Sequence, residues 1–167
     1  MQLILYPPLL FYKIIFMVKA DLSDSTKPLG LAYLVGRLDH VLGKRLRDCC
    51  APAGVTVPQY TALSVFRAQG ALSNAQLAVR TMVSPQSANE MVKSMELKGW
   101  IERTPDPSHG RIIQIQLTGA GHAILAQCDG KVREVEMQMF PDLDDVERTR
   151  LHALLRGAVR ALSLEGI

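Results

Sequence analysis

The sequence lacks the cysteine pattern that a metal site or a secreted disulfide framework needs. Its three cysteines are Cys49, Cys50 and Cys128. Two are adjacent, adjacent cysteines rarely pair with each other, and none falls at ligand spacing. A reducing cytoplasm is the expected compartment, and no cofactor is implied. Catalytic arrangements are missing too. There is no glycine-rich phosphate loop, no Ser/His/Asp arrangement and no His/Cys/Asp metal cluster; His40, His109, His122 and His152 fall on different predicted elements. The chain is therefore not expected to be an enzyme. It also has no internal repeat and no low-complexity tract.

An uninterrupted apolar span of membrane length is likewise absent. Residues 1–20 are strongly apolar, but Pro7-Pro8 interrupts them. That leaves about half of the roughly 20 apolar residues that a spanning helix requires. A signal peptide would carry an early basic region and a small-residue cleavage site, and neither is clear. Two readings of this leader stay open. Either it packs onto a dimer interface, or translation begins at Met17 and residues 1–16 are a start-site artefact. The polar run Val18-Lys19-Ala20-Asp21-Leu22-Ser23 favours the second.

What is present is enough for one small domain with an oligomerisation appendage. Of 167 residues, 48% are apolar, which excludes a disordered chain. A formal charge of +3 permits nucleic-acid binding without arguing for it.

Periodicity then divides the chain. After the 1–27 leader, Pro28 is expected to open a long helix whose Leu31, Leu34, Val35, Leu38, Val41, Leu42 and Leu46 recur at three and four residues. It should stop near Cys50, ahead of Pro52 and Gly54. Thr56-Val57-Pro58-Gln59 reads as a capping box opening a second helix that Gly70 ends. Ser73-Asn74-Ala75-Gln76 is another capping box, for a short helix ending near Thr81. Ser84-Pro85 starts a third, with Ala88, Met91, Val92 and Met95 on one face and Gly99 past its end. From Ile101 the period changes to two, with Ile113, Ile115 and Leu117 in a returning strand and Pro105 to Gly110 as the turn. Thr118 caps a long helix carrying Leu125, Cys128, Val132, Val135 and Met139 at heptad spacing. Pro141 breaks it, and Asp144-Asp145-Val146-Glu147 opens the last helix. This order predicts a mainly α fold with a small β-hairpin wing: a winged helix-turn-helix over 55–118, flanked by dimerisation helices at 28–54 and 119–167. The apolar surplus at both ends calls for a homodimer.

At these residues the chain resembles the MarR family of bacterial transcription regulators. The resemblance rests on Val57-Pro58-Gln59-Tyr60 with Leu63, on Leu77-Ala78, on Val83-Ser84-Pro85-Gln86-Ser87, on Met95 through Gly99, and on Asp106, Arg111, Leu117-Thr118 and Gly121. It covers roughly residues 28 to 164 without a large insertion. It implies a homodimer whose two winged units read a pseudo-palindrome, commonly under a small-molecule or oxidant effector. Two positions depart from the family pattern. The wing reads His109-Gly110-Arg111 where Asp-x-Arg is usual, and Glu90 stands where many members carry a basic residue.

The third capped helix would turn its positive dipole end, with the free N–H groups along Ser84-Pro85-Gln86-Ser87, toward the duplex. Gln86 and Asn89 can read adenine, Ser87 a base or a phosphate, and Lys93 could touch DNA; the competing reading for these residues is a solvated polar face. Glu90 could accept from a cytosine amine or simply face solvent. Arg111, on a thin hairpin tip, suits the narrow minor groove of A·T-rich DNA; the competing role is a salt bridge to Asp106. Arg103, Ser108 and His109 are expected beside phosphates, and Ser73 and Asn74 could cap another. A charged His109 would favour DNA at lower pH, although an exposed loop histidine is more often passive.

For an effector, Tyr33, Arg37 and His40 lie a turn apart on the first helix and could hold a small aromatic or phenolic ligand; a solvated helix face is the competing reading. Cys49 and Cys50 define a redox-responsive alternative, with Arg45 and Arg47 nearby to favour a thiolate and the helix C-terminus to oppose it. Cys128 reads as a small core residue. The leading expectation is a cytoplasmic bacterial repressor that binds double-stranded DNA and is released by a small molecule. A redox regulator comes second. A membrane-tethered or protein-interaction module using the leader is third, and no membrane partner is favoured.

Overall fold

The computed structural model describes residues 30–105 and 113–164. The apolar leader with Met17, Pro28, and the segment carrying Ser108, His109 and Arg111 lie outside the described residues. The elements are α1 (Leu31–Cys50), a single 3-10 turn (Ala51–Ala53), α2 (Val57–Gln69), α3 (Asn74–Thr81), α4 (Pro85–Leu97), β1 (Ile101–Pro105), β2 (Ile113–Leu117), α5 (Gly119–Met139) and α6 (Asp145–Leu164). The chain divides into two compact units between Val41 and Leu42.

Cap chemistry sets the helix starts. Thr56 accepts from the Gln59 N–H while the Gln59 side chain accepts from the Thr56 N–H, and Ser73 and Gln76 do the same for α3. Ser84 and Thr118 accept from the N–H groups of Ser87 and Gly121. Each bond satisfies a donor that a helix end otherwise leaves unpaired. Asp144 and Glu147 exchange the same pair of bonds at the start of α6. The first helix starts later than its proline suggests. Gly30 lies outside it, and its carbonyl accepts from Tyr33 and Leu34. Helix ends are marked by left-handed backbone, at Gly99 (φ 69°) by glycine but at Met82 (φ 54°) by a side-chain-bearing residue, which is the costlier choice.

The larger unit packs α2, α3, α4 and the end of α1 against the hairpin and α5. Its core holds Cys50, Leu63, Phe66, Leu72, Leu77, Val92, Met95, Ile101, Ile115, Leu125 and Cys128. The strands are antiparallel, Ile101 opposite Leu117 and Pro105 opposite Ile113. Pro105 is thus the last residue of β1 and not part of the turn, a place an edge strand allows because proline offers no ladder N–H. A third contribution comes from Leu72, which exchanges both backbone hydrogen bonds with Ile115 (3.0 and 2.8 Å).

The first and last described helices keep apolar residues in the open. In α1, Leu31, Leu34, Val35, Leu38 and Val41 are exposed; in α6, Val146, Leu154, Leu155, Val159 and Leu162 are exposed. No helix among the described residues is long and apolar enough to cross a membrane.

Candidate nucleic-acid interface

The site is built on one helix whose two faces differ sharply. Ala88, Val92 and Met95 hold α4 in the core at 0–1% exposure, following the period of the helix. Gln86, Glu90, Lys93 and Leu97 share the opposite face, with Ser87 and Asn89 beside it, and all are exposed. The helix start is organised by Ser84, whose hydroxyl caps the Ser87 N–H (3.1 Å) and lies 2.9 Å from the Ser87 hydroxyl. Pro85 fixes the first turn. Gln86 donates to the Glu90 carboxylate one turn on (3.3 Å).

Neighbouring elements hold this helix in place. The Asn74 amide, at the start of α3, donates to the Pro85 carbonyl (3.3 Å), so the two helix starts are tied together and that amide is engaged within the fold. The Ser73 hydroxyl is engaged as a cap. Gln59, buried in α2, donates to the Ser94 hydroxyl (3.2 Å) on the flank of α4. Lys98 donates to the Gly54 carbonyl (3.0 Å) and lies 4.2 Å over the Trp100 ring. Arg103, on β1, reaches Glu96 at 2.9 Å; its charge is partly offset inside the protein. Among the expected residues, then, Ser84, Pro85, Gln86, Ser87, Asn89 and Lys93 form one open polar surface, and Ser73, Asn74 and Arg103 are its supports.

A polar cluster that sequence reasoning missed lies between α2 and α5. Asp129 on α5 accepts from the Tyr60 hydroxyl (3.1 Å) and pairs with the Arg67 guanidinium, both on α2. Burial, then the bond to Asp129, pushes the Tyr60 phenol up to about 12, and Asp129 raises the Arg67 guanidinium further. The partners are 62 and 69 residues apart, and no local pattern announces them. The only hint was a buried-face tyrosine with a polar tip in need of a partner.

Tyr33 and Arg37 sit a turn apart on α1, the guanidinium carbon 5.9 Å from the ring centroid. His40 is exposed on the next turn of the helix.

The thiols are arranged differently from an exposed sensor. Cys50 and Cys128 are fully buried in the same core cluster. Burial first, then its neighbours, pushes the Cys50 thiol up to about 12, and burial raises Cys128 as well. Cys49 is half-buried. In the native protein a thiol titration at pH 8 is therefore expected to find one reactive sulfur, Cys49, with the other two appearing only in denaturant. Three rapidly reacting thiols would contradict this packing. Because the neutral thiol is favoured in the fold, its stabilisation is present below the ordinary thiol value of 9.0 and is lost as pH rises toward about 12. No group of three metal-ligating side chains occurs among the described residues.

The chain is similar to proteins of one family. A sequence profile of the MarR family matches residues 53–112. An HTH-type transcriptional repressor of Mycobacterium tuberculosis is 28% identical over 134 residues, 80% of this chain and 94% of the relative. An HTH-type transcriptional regulator of Mycobacterium bovis is 30% identical over 131 residues, 78% and 89% of the two chains. Among solved structures, an Escherichia coli MarR variant complexed with operator DNA superposes with a TM-score of 0.66 at 25% identity, covering 77% of this chain and 92% of that one. The two-faced helix α4, its hairpin and these relatives lead to one assignment: the chain belongs to the MarR family of transcriptional regulators and is not an enzyme.

Proposed function

We propose that the protein is a cytoplasmic repressor that binds a pseudo-palindromic operator as a homodimer and releases it on binding a small aromatic or phenolic molecule. The observation that carries the DNA-binding part is the exposed polar face of α4, opposite a face buried to 0–1%. A helix pinned so firmly on one side offers a rigid set of donors and acceptors to the major groove. The positive end of the helix dipole at its first turn adds attraction for a phosphate. Ser84, Gln86, Ser87, Asn89 and Lys93 form the contact surface, Ser73, Asn74 and Arg103 brace it, and Ser108, His109 and Arg111 are proposed to contact the DNA backbone and minor groove. The exposed leucine and valine stripes of α1 and α6 support a dimer, since apolar stripes of that length are normally covered.

The ligand part is supported by Tyr33, Arg37 and His40 on successive turns of α1, where a ring and a guanidinium already stack. The redox reading through Cys49 or Cys50 has less support, because Cys50 is buried and held as a thiol. If it holds, Cys49→Ser or Cys50→Ser abolishes release of DNA by oxidant.

Fluorescence anisotropy on the DNA upstream of the protein's own gene, across a salt series, tests the reading. Wild type is expected to bind tightly with affinity falling steeply as salt rises. Arg111→Ala should weaken binding by about tenfold or more, the size of a lost specific arginine contact. Equal binding of wild type to operator and scrambled DNA at every salt concentration would count against it.

A further inference from the structure

The outward face of α4 carries a carboxylate at its centre, an uncommon group for a surface meant to approach phosphates. Gln86, Glu90, Lys93 and Leu97 follow one another at three and four residues directly opposite Ala88, Val92 and Met95. The helix has no arginine, and Lys93 is its one cation against Glu90 and Glu96. Glu96 is occupied by Arg103 at 2.9 Å. Glu90 is exposed and accepts a 3.3 Å bond from the Gln86 amide.

From this we infer that Glu90 is a specificity-determining residue, which with Gln86 selects adjacent bases presenting exocyclic amines in the major groove. The inference rests on the proposed reading of α4 as the DNA-contacting helix. Each base pair shows a different set of groups there. Guanine offers two acceptors, thymine an acceptor and a methyl, cytosine an amine donor, and adenine an acceptor beside an amine donor. A carboxylate only accepts. Glu90 therefore pairs with cytosine or adenine and is repelled by the acceptors of guanine and thymine. Gln86 has one of its two amide N–H groups committed to Glu90, leaving one donor and its carbonyl oxygen. That remainder matches adenine, whose N7 accepts and whose N6 donates. Residues four apart on a helix rise about 6 Å, between one and two base-pair steps. The half-site should then contain an adenine with an adenine or cytosine one or two steps away on the strand that Glu90 faces. No arginine on α4 asks for guanine.

The bond between the two side chains also gives Glu90 a positioning role. It fixes the rotation of the Gln86 amide, so that the oxygen and the second N–H are presented together at a set angle. Removing the carboxylate lets the amide flip and relaxes the adenine requirement.

Enrichment of random-sequence duplexes by wild type, Glu90→Gln and Glu90→Ala, followed by sequencing, tests the assignment. Wild type should show adenine or cytosine over guanine or thymine by about tenfold at one symmetric pair of positions next to an adenine. In Glu90→Ala that preference should vanish and the adjacent adenine preference weaken, while the rest of the site is retained. Glu90→Gln regains a donor and should accept all four bases there. Both variants remove a negative charge and should bind scrambled DNA more tightly than wild type. If all three proteins enrich the same site with the same base frequencies, Glu90 selects nothing and the inference fails, with DNA binding intact. If wild type enriches no sequence while remaining folded, the reading of α4 fails and takes this inference with it.

Discussion

Gly121→Ala is expected to destabilise the protein by about 3 kcal/mol, near the upper end of overpacking costs, and to lower its melting temperature by roughly 10 °C. Gly121 is buried in the first turn of α5, where that helix runs under the base of the hairpin. A methyl there would be driven into the Trp100 carbonyl oxygen and would touch the Leu117 side chain at 3.0 Å. The first of these is backbone and cannot rotate away. It is also held, because the Trp100 carbonyl accepts from the Thr118 N–H (3.1 Å) and the Thr118 hydroxyl donates to the Gly99 carbonyl (2.6 Å). Relief must come from moving α5 away from β1, which tilts the wing. Gly130, on the same helix, has nothing near its missing side chain. Gly130→Ala should be neutral or stabilising by up to about 1 kcal/mol, since alanine favours the helix. Urea unfolding of the two variants measures both. A Gly121→Ala protein within about 0.5 kcal/mol of wild type would mean that this packing is not present in solution.

The second large effect separates the faces of α4. Met95 is completely buried in the core, and Leu97 is 90% exposed two residues later. Met95→Ala should cost about 3 kcal/mol, within the range for emptying a buried methionine site. Leu97→Ala should change stability by less than about 0.5 kcal/mol, as surface substitutions do. The loss at Met95 extends to function, because Val92 and Met95 keep the exposed polar face aimed outward; specific DNA binding should weaken even at temperatures where most molecules are folded. A reversed pattern, with Leu97 costly and Met95 harmless, would rotate the helix by about half a turn and remove the basis of the proposed interface.

Much of this could be read from the sequence because the signals are local. The caps at Thr56, Ser73, Ser84 and Thr118 each involve residues three apart, and Gly99 marks a left-handed turn that its own backbone requires. The core face of α4 follows from helical periodicity alone. What could not be read depends on pairs distant in the chain. Leu72 joins the sheet through one residue, too short to show alternation. Asp129 looks like any surface carboxylate until α5 brings it to Tyr60 and Arg67. Asn74 and Arg103 carry groups suited to phosphate, and only the fold shows that Pro85 and Glu96 already engage them.

Hydroxyl-radical footprinting on a sequence-enriched DNA tests most directly the claim that two winged units read one operator. The expected result is a two-fold symmetric pattern, with protected patches whose centres lie about one helical turn, roughly 10 base pairs, or a multiple of it apart. A single asymmetric patch, or no protection at concentrations that saturate binding, would contradict it.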